Sequence, residues 1–193
     1  MIIDQVTRKL FPTEIARVVT DLDHKAITSH TIDFIKDLGE YTTYHNKEAN
    51  AEWAKHPEVV KLIETAKQAS IKFLADTSRK KFTEEPWIIM WGNVYTEGTE
   101  HGSHNHPLSA VSGTYYANAG DSFSSIQFDS PLTPYKMHDR QSPDTLTHAI
   151  KPVEGDMLLW PSWLFHRVAA QKPTEIPRVS CSFNIDYNYK RTQ

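Results

Sequence analysis

A chain of 193 residues with 39% hydrophobic and 23% charged side chains has the length and apolar content for one globular domain with a sizeable core, which excludes wholesale disorder. Its formal net charge is −3, and the basic residues are scattered apart from short groups such as Arg79-Lys80-Lys81, so nothing offers a footprint for a phosphate backbone and nucleic acid is not an expected partner. The single cysteine, Cys181, excludes an intrachain disulfide and a cysteine zinc cluster.

The first 85 residues hold two segments with helical periodicity, Asp23 to Leu38 and Pro57 to Ala75, the second setting Val60, Ile63, Ala66 and Ile71 on one side. From Trp87 the pattern changes to short runs rich in β-branched and aromatic residues, WIIMWGNVY, SAVSGTYYAN, SSIQF, MLLW and RVSCSFNIDY, separated by Gly, Pro, Ser and Asp. Such runs predict the antiparallel strands of a sandwich or barrel, with the preceding helices covering a sheet face that would otherwise expose apolar side chains. The expected layout is mainly β: a single domain over 1–193, mostly helical buttress at 1–85 and β core at 86–193. The stretch SPLTPYKMHDRQSP, Ser130 to Pro143, carries three prolines and reads as a long irregular loop able to border a site. No apolar run approaches the roughly 20 residues that span a bilayer, and the start MIIDQVTRKL lacks a signal-like apolar stretch, so no membrane partner and a cytoplasmic location are expected.

The stretch EHGSHNHP, Glu100 to Pro107, crowds His101, His104 and His106 together. If Gly102 to Pro107 continues an extended segment, His104 and His106 point the same way and can share a metal; a solvated polar loop is the bland alternative. A third ligand is needed, and the candidate is His166, which ends the apolar run in GDMLLWPSWLFHRV. Taken singly, His166 reads as a hydrogen-bonded core or rim histidine; together, pair and singlet support one another. Farther on, alternation in RVSCSF places Arg178, Ser180 and Ser182 on one face. An inward arginine needs an anion, either a neighbouring Asp or Glu or the carboxylate of a bound acid, with Ser180 adding a donor in the second case. Of the tryptophans, Trp87 and Trp91 read as core, whereas Trp160 and Trp163 lie beside His166 and could wall a pocket. Asn93 either reaches a bound carboxylate or is satisfied by backbone.

These residues carry a family likeness. From about Trp87 to Asn184 the chain resembles the iron(II)- and 2-oxoglutarate-dependent oxygenases, especially the prolyl 4-hydroxylase-like members and related small phage and bacterial proteins. In the prolyl hydroxylases a segment Y-x-x-G-x-x-Y-x-x-H-x-D leads into the iron site, and YTEGTEHGSHNH supplies Tyr95, Gly98, His104 and His106 at those places. His101 stands for the second tyrosine and His106 for the aspartate. The resemblance implies a double-stranded β-helix, or jelly roll, with N-terminal supporting α-helices; Fe(II) held by His104, His106 and His166; and 2-oxoglutarate as co-substrate, held by Arg178 and Ser180 of the Arg-x-Ser motif with Tyr116 of SGTYYAN assisting. The implied activity is hydroxylation of an aliphatic carbon in a small-molecule or peptide substrate, with release of succinate and CO2. Peptidyl proline is the nearest analogy, and a phage-encoded chain would act in the host cytoplasm.

The usual triad of the family has a carboxylate where this chain has His106. Either the set is three histidines, which H-x-H spacing favours, or a carboxylate such as Glu100, Asp121 or Asp129 displaces one of them. The rival reading is a cupin-type metal-dependent enzyme or a non-enzymatic metal or ligand-binding module, since G-x5-H-x-H runs from Gly98 to His106 and G-x5-P-x-W-x-x-H from Gly155 to His166. The glutamate that usually follows H-x-H in cupins is missing from PLSAVS, and a cupin has no need of Arg178 or Ser180 beside the metal. The sequence is silent on oligomeric state.

Overall fold

The computed structural model describes residues 12–78, 85–120, 124–131, 147–173 and 175–186. In chain order its elements are β1 (Ala16–Val19), α1 (His24–Leu38), α2 (Lys47–Trp53), α3 (Pro57–Ser78), β2 (Trp87–Tyr95), β3 (His101–His104), β4 (Val111–Asn118), β5 (Ile126–Asp129), β6 (Thr147–Ile150), β7 (Asp156–Pro161), β8 (His166–Val168) and β9 (Arg178–Asp186). Most of the predicted loop at 130–143, from 132 onward, lies outside the described residues.

The helices start and stop where their sequences say they should. Asp23 caps α1 by accepting a hydrogen bond from the Ala26 amide at 3.0 Å, and Gly39, at φ 69°, closes its C-terminus in the left-handed conformation that a side chain disfavours. Ile27, Thr31 and Ile35, one turn apart, form its buried face. In α3 the buried face is Val59, Leu62, Ala66, Ser70 and Phe73, while Val60 and Ile71 stay 51% and 39% exposed. The phase expected from Val60 and Ile71 was therefore turned away from the core, because Val59 and Leu62 offered the competing apolar stripe that the sheet selects. The segment before Trp87 is not helical throughout, since β1 pairs antiparallel with β7 and adds an edge strand to the main sheet.

Among the described residues nine strands form two sheets, one ordered β1-β7-β4-β9-β2 and the other β3-β8-β5-β6. These facing antiparallel sheets are the jelly roll, and the helices lie on the outer face of the five-stranded one. Alternation along each strand divides the core in two. Met157, Leu159, Tyr115, Val179, Cys181 and Ile185 point outward to meet Ile27, Trp53, Leu62 and Phe73 of the helices. Leu158, Trp160 and Tyr116 point inward to meet Ile126, Phe128 and Leu164 between the sheets. Each large side chain so buried contributes about 1.5–3 kcal/mol. The helical layer packs closely: a Cβ on Gly92 of β2 would stand 2.9 Å from the Thr31 methyl and 3.1 Å from the Trp53 ring. Trp87 sits at the strand's outer end and is 60% exposed, contrary to its expected core role. Among the described residues no helix is long and apolar enough to cross a membrane.

Candidate active site

The smaller sheet brings the histidines together through its register. β3 pairs antiparallel with β8 so that His104 stands directly across from His166, with the ring centroids 4.3 Å apart. His106 lies beyond the strand end, not in a continued extended segment. Its amide donates to the Ser162 carbonyl at 2.9 Å, and that bond folds the loop back over the sheet. Its ring centroid comes within 5.0 Å of His104 and 5.2 Å of His166. One ligand atom from each of the three lies within 4.8 Å of the others.

For two of the rings, hydrogen bonds set which nitrogen is free to face the centre. Nδ1 of His104 lies 2.7 Å from the Gly102 carbonyl and Nδ1 of His166 lies 3.0 Å from the Leu164 carbonyl, so each donates Nδ1–H and keeps an Nε2 lone pair. Nδ1 of His106 meets the Asn184 amide group at 3.2 Å, and Asn184 is joined through Ser112 to Ser162. Those bonds tie the His106 ring to β9 and β4. Burial holds the His106 and His166 imidazoles neutral: desolvation foremost, with neighbouring histidines adding to it, lowers the pKa to about 4 for His106 and about 3 for His166. His101 stacks on His104 at 4.1 Å between centroids, and burial likewise lowers its pKa to about 4.

The same cavity that His104, His106 and His166 line is also lined by Tyr116, Arg178 and Ser180. Arg178, Ser180 and Ser182 do share the inward face of β9. Arg178 is only 2% exposed. Its Nη1 donates to the Ser124 carbonyl at 3.2 Å and its guanidinium lies 4.3 Å from the Tyr95 ring centroid. Among the described residues no carboxylate pairs with it, and its buried Nε has no hydrogen-bond partner. A buried cation so placed calls for an anion.

Two of the three carboxylate alternatives stand elsewhere. Asp129 accepts from Ser103 at 3.0 Å and lies 3.7 Å from Arg167, Glu100 is outside the histidine cluster, and Asp121 lies outside the described residues. Trp160 is buried and packs edge-on against His166 at 4.8 Å, whereas Trp163 is 53% exposed and lines neither cavity beside the histidines. Asn93 is satisfied within the chain, accepting from Thr42 at 2.9 Å and donating to Ser182 at 3.2 Å. Sequence reasoning missed Asn184, although it continues the even-numbered face of β9, and missed that Trp91, buried as expected, also lines the cavity.

Residues 89–184 match the family model described as "Putative 2OG-Fe(II) oxygenase". Through that stretch, the chain belongs to the 2OG-Fe(II) oxygenases. The oxygenase is accordingly an enzyme whose cofactors are Fe(II) and 2-oxoglutarate. Its fold is shared by a prolyl-4-hydroxylase from Pseudomonas putida, with TM-score 0.58 at 13% identity over 90% of this chain and 88% of that one. The carbocyclase SnoK from nogalamycin biosynthesis superposes with TM-score 0.61 at 13% identity over 90% and 80% of the two chains. HygX from Streptomyces hygroscopicus, solved with iron bound, gives 0.55 at 13% over 92% and 83%. At these identities the likeness is one of fold. No curated protein matches the oxygenase in sequence.

Proposed function

We propose that the oxygenase holds Fe(II) through His104, His106 and His166, holds 2-oxoglutarate through Arg178, Ser180 and Tyr116, and hydroxylates an aliphatic carbon with release of succinate and CO2. The observation that carries this reading is the buried Arg178, lacking a carboxylate partner among the described residues, in the cavity where three imidazoles converge. Neutral imidazole donors suit a ferrous ion, and three of them leave the ion's full positive charge to attract an anionic keto acid. When bound, iron and 2-oxoglutarate supply the oxidising chemistry: dioxygen decarboxylates the co-substrate and an oxygen atom passes into a substrate C–H bond.

The chain's own residues bind, orient and exclude water. Arg178 grips the distal carboxylate of 2-oxoglutarate as a charge-assisted pair, with the Ser180 hydroxyl beside it on the same strand face. The Tyr116 phenol keeps its proton, because burial raises its pKa, and so serves as a donor. Trp160 and Ile126 wall the cavity and keep it dry. Peptidyl proline is the nearest substrate analogy, from the spacing of Tyr95, Gly98 and His104. A cupin-type metal enzyme would leave Arg178 without a purpose. Anaerobic addition of Fe(II) and 2-oxoglutarate together should produce a visible charge-transfer band that neither produces alone. His166→Ala should lose both bound iron and the band; a variant that kept stoichiometric iron and succinate formation would sink the assignment.

A further inference from the structure

Behind the His104 and His166 rings stand backbone carbonyls, Gly102 at 2.7 Å and Leu164 at 3.0 Å, each two residues back along the chain. A carbonyl only accepts, so neither ring has a choice of tautomer. His106 is backed differently. Its Nδ1 lies 3.2 Å from the side-chain amide of Asn184, which comes from β9 of the larger sheet.

An amide offers a donor at one end and an acceptor at the other, and the two ends have the same shape. With the NH2 group toward His106, Nδ1 is the acceptor and the ring proton sits on Nε2, where it blocks coordination. With the carbonyl oxygen toward His106, Nδ1 carries the proton and Nε2 keeps its lone pair, as in His104 and His166. A separation of 3.2 Å fits an N–H donating to that oxygen. One side-chain torsion of Asn184 therefore decides whether the third imidazole can serve as a ligand.

The neighbours of Asn184 can support the second orientation. The far end of its amide lies 2.7 Å from the Ser112 hydroxyl, which lies 2.9 Å from the Ser162 hydroxyl. A hydroxyl both donates and accepts, so the NH2 group can donate to Ser112 and Ser112 to Ser162. Ser112 and Ser162 are each 1% exposed, which keeps water from competing for these bonds. The path closes on itself, because the Ser162 carbonyl accepts the His106 amide at 2.9 Å. It is also built into the sheet, since Ser112 of β4 stands directly across from Asn184 in the β4–β9 register.

We propose that Asn184 is the positioning residue for the third metal ligand: its side-chain carbonyl accepts from Nδ1–H of His106, in a relay through Ser112 to Ser162, and so holds an Nε2 lone pair ready for the metal. This deepens, and rests on, the reading of His104, His106 and His166 as the metal site. A carboxylate, the usual third ligand of the family, has an oxygen lone pair in every orientation. A histidine in its place depends on its tautomer, and Asn184 selects it.

The test uses the full chain loaded with Zn(II), a diamagnetic ion that takes imidazole nitrogen. Two-bond 1H–15N NMR of the histidine rings reads the tautomer, and competition with a chelator reads the Zn(II) Kd. In the loaded parent chain His106 should carry its proton on Nδ1. Asn184→Leu should weaken Zn(II) binding about 10- to 100-fold, the range for loss of such a partner. Asn184→Asp keeps the acceptor and should bind Zn(II) at least as tightly as the parent, an ordering that a merely structural asparagine would not give. A proton on Nε2 of His106 in the loaded parent, unchanged Zn(II) affinity in Asn184→Leu, or equal weakening in Asn184→Asp would overturn the proposal. The tautomer is read on the parent chain, so the outcome does not depend on whether the leucine variant folds. Zn(II) binding that survives His166→Ala would refute the metal site and this inference with it, whereas binding that needs His166 but ignores Asn184→Leu refutes the inference alone.

Discussion

Arg178 shows how one side chain can carry a functional argument that its sequence context leaves open. An inward arginine in an alternating strand could have paired with any acidic residue, but the folded chain gives it a carbonyl, a tyrosine face and, among the described residues, no carboxylate. Charge-assisted bonds of this kind contribute about 1.5–3 kcal/mol, so Arg178→Ala should weaken 2-oxoglutarate binding about 10- to 100-fold while iron content holds; an unchanged 2-oxoglutarate Kd would return Arg178 to a structural role. Gly113 makes a different point on the same cavity wall. A Cβ there would stand 2.2 Å from the Phe183 ring and 2.8 Å from the Leu158 carbonyl. Gly113→Ala should therefore destabilise the fold by about 1–3 kcal/mol through overpacking, visible as a Tm lowered by about 2–4 °C per kcal/mol.

At the scale of elements, the β4, β7 and β9 strands deliver chemistry by alternation. Their inward positions hold Tyr116, Trp160, Arg178 and Ser180, and their outward positions hold the apolar residues that seat the helices. That helical seat has its own pH dependence. His30 of α1 stacks on His56 at 4.2 Å and bonds the Trp53 carbonyl at 3.0 Å, with Asp33 nearby. Burial lowers its pKa below the ordinary value, against an upward pull from the Trp53 carbonyl, so the folded chain favours the neutral ring. As pH falls through the ordinary imidazole range, near pH 6.5, the unfolded chain takes up the proton first. The stabilisation is full above that range and declines on acidification until folded His30 itself titrates. Urea midpoints measured at about pH 7.5 and about pH 5.5 should differ less in His30→Asn than in the parent chain; equal differences would clear His30 of the effect.

For the whole molecule, the proposed metal and co-substrate sites draw on both sheets. His104 and His166 come from the smaller sheet, His106 from the loop after it, and Arg178 from the larger one. Anaerobic Fe(II) with 2-oxoglutarate should therefore raise the Tm, by an increment equivalent to about 2.7 kcal/mol at a hundredfold excess over Kd. His166→Ala should show no such rise, and a rise of equal size in that variant would place the metal elsewhere.

The sequence by itself determined the two long helices, the principal strands of the main sheet and several of the residues in the cavity, among them His104, His106, His166, Tyr116, Arg178 and Ser180. Each of these is written in local periodicity, in caps such as Asp23 and Gly39, and in spacing around His104, Tyr116, His166 and Arg178. Tertiary structure decided the rest. β1, β3 and β8 are too short to announce themselves, and MLLW is apolar on both faces, so nothing local says that Trp160 faces the histidines and Leu159 the helices. The phase of α3 was open for the same reason, since two apolar stripes competed until the sheet chose one. His104 meets His166 because of a strand register, and Trp91 meets Tyr44 because a threonine-anchored link crosses β2. Register and packing are set by contacts between segments far apart in the chain, and no local pattern encodes them.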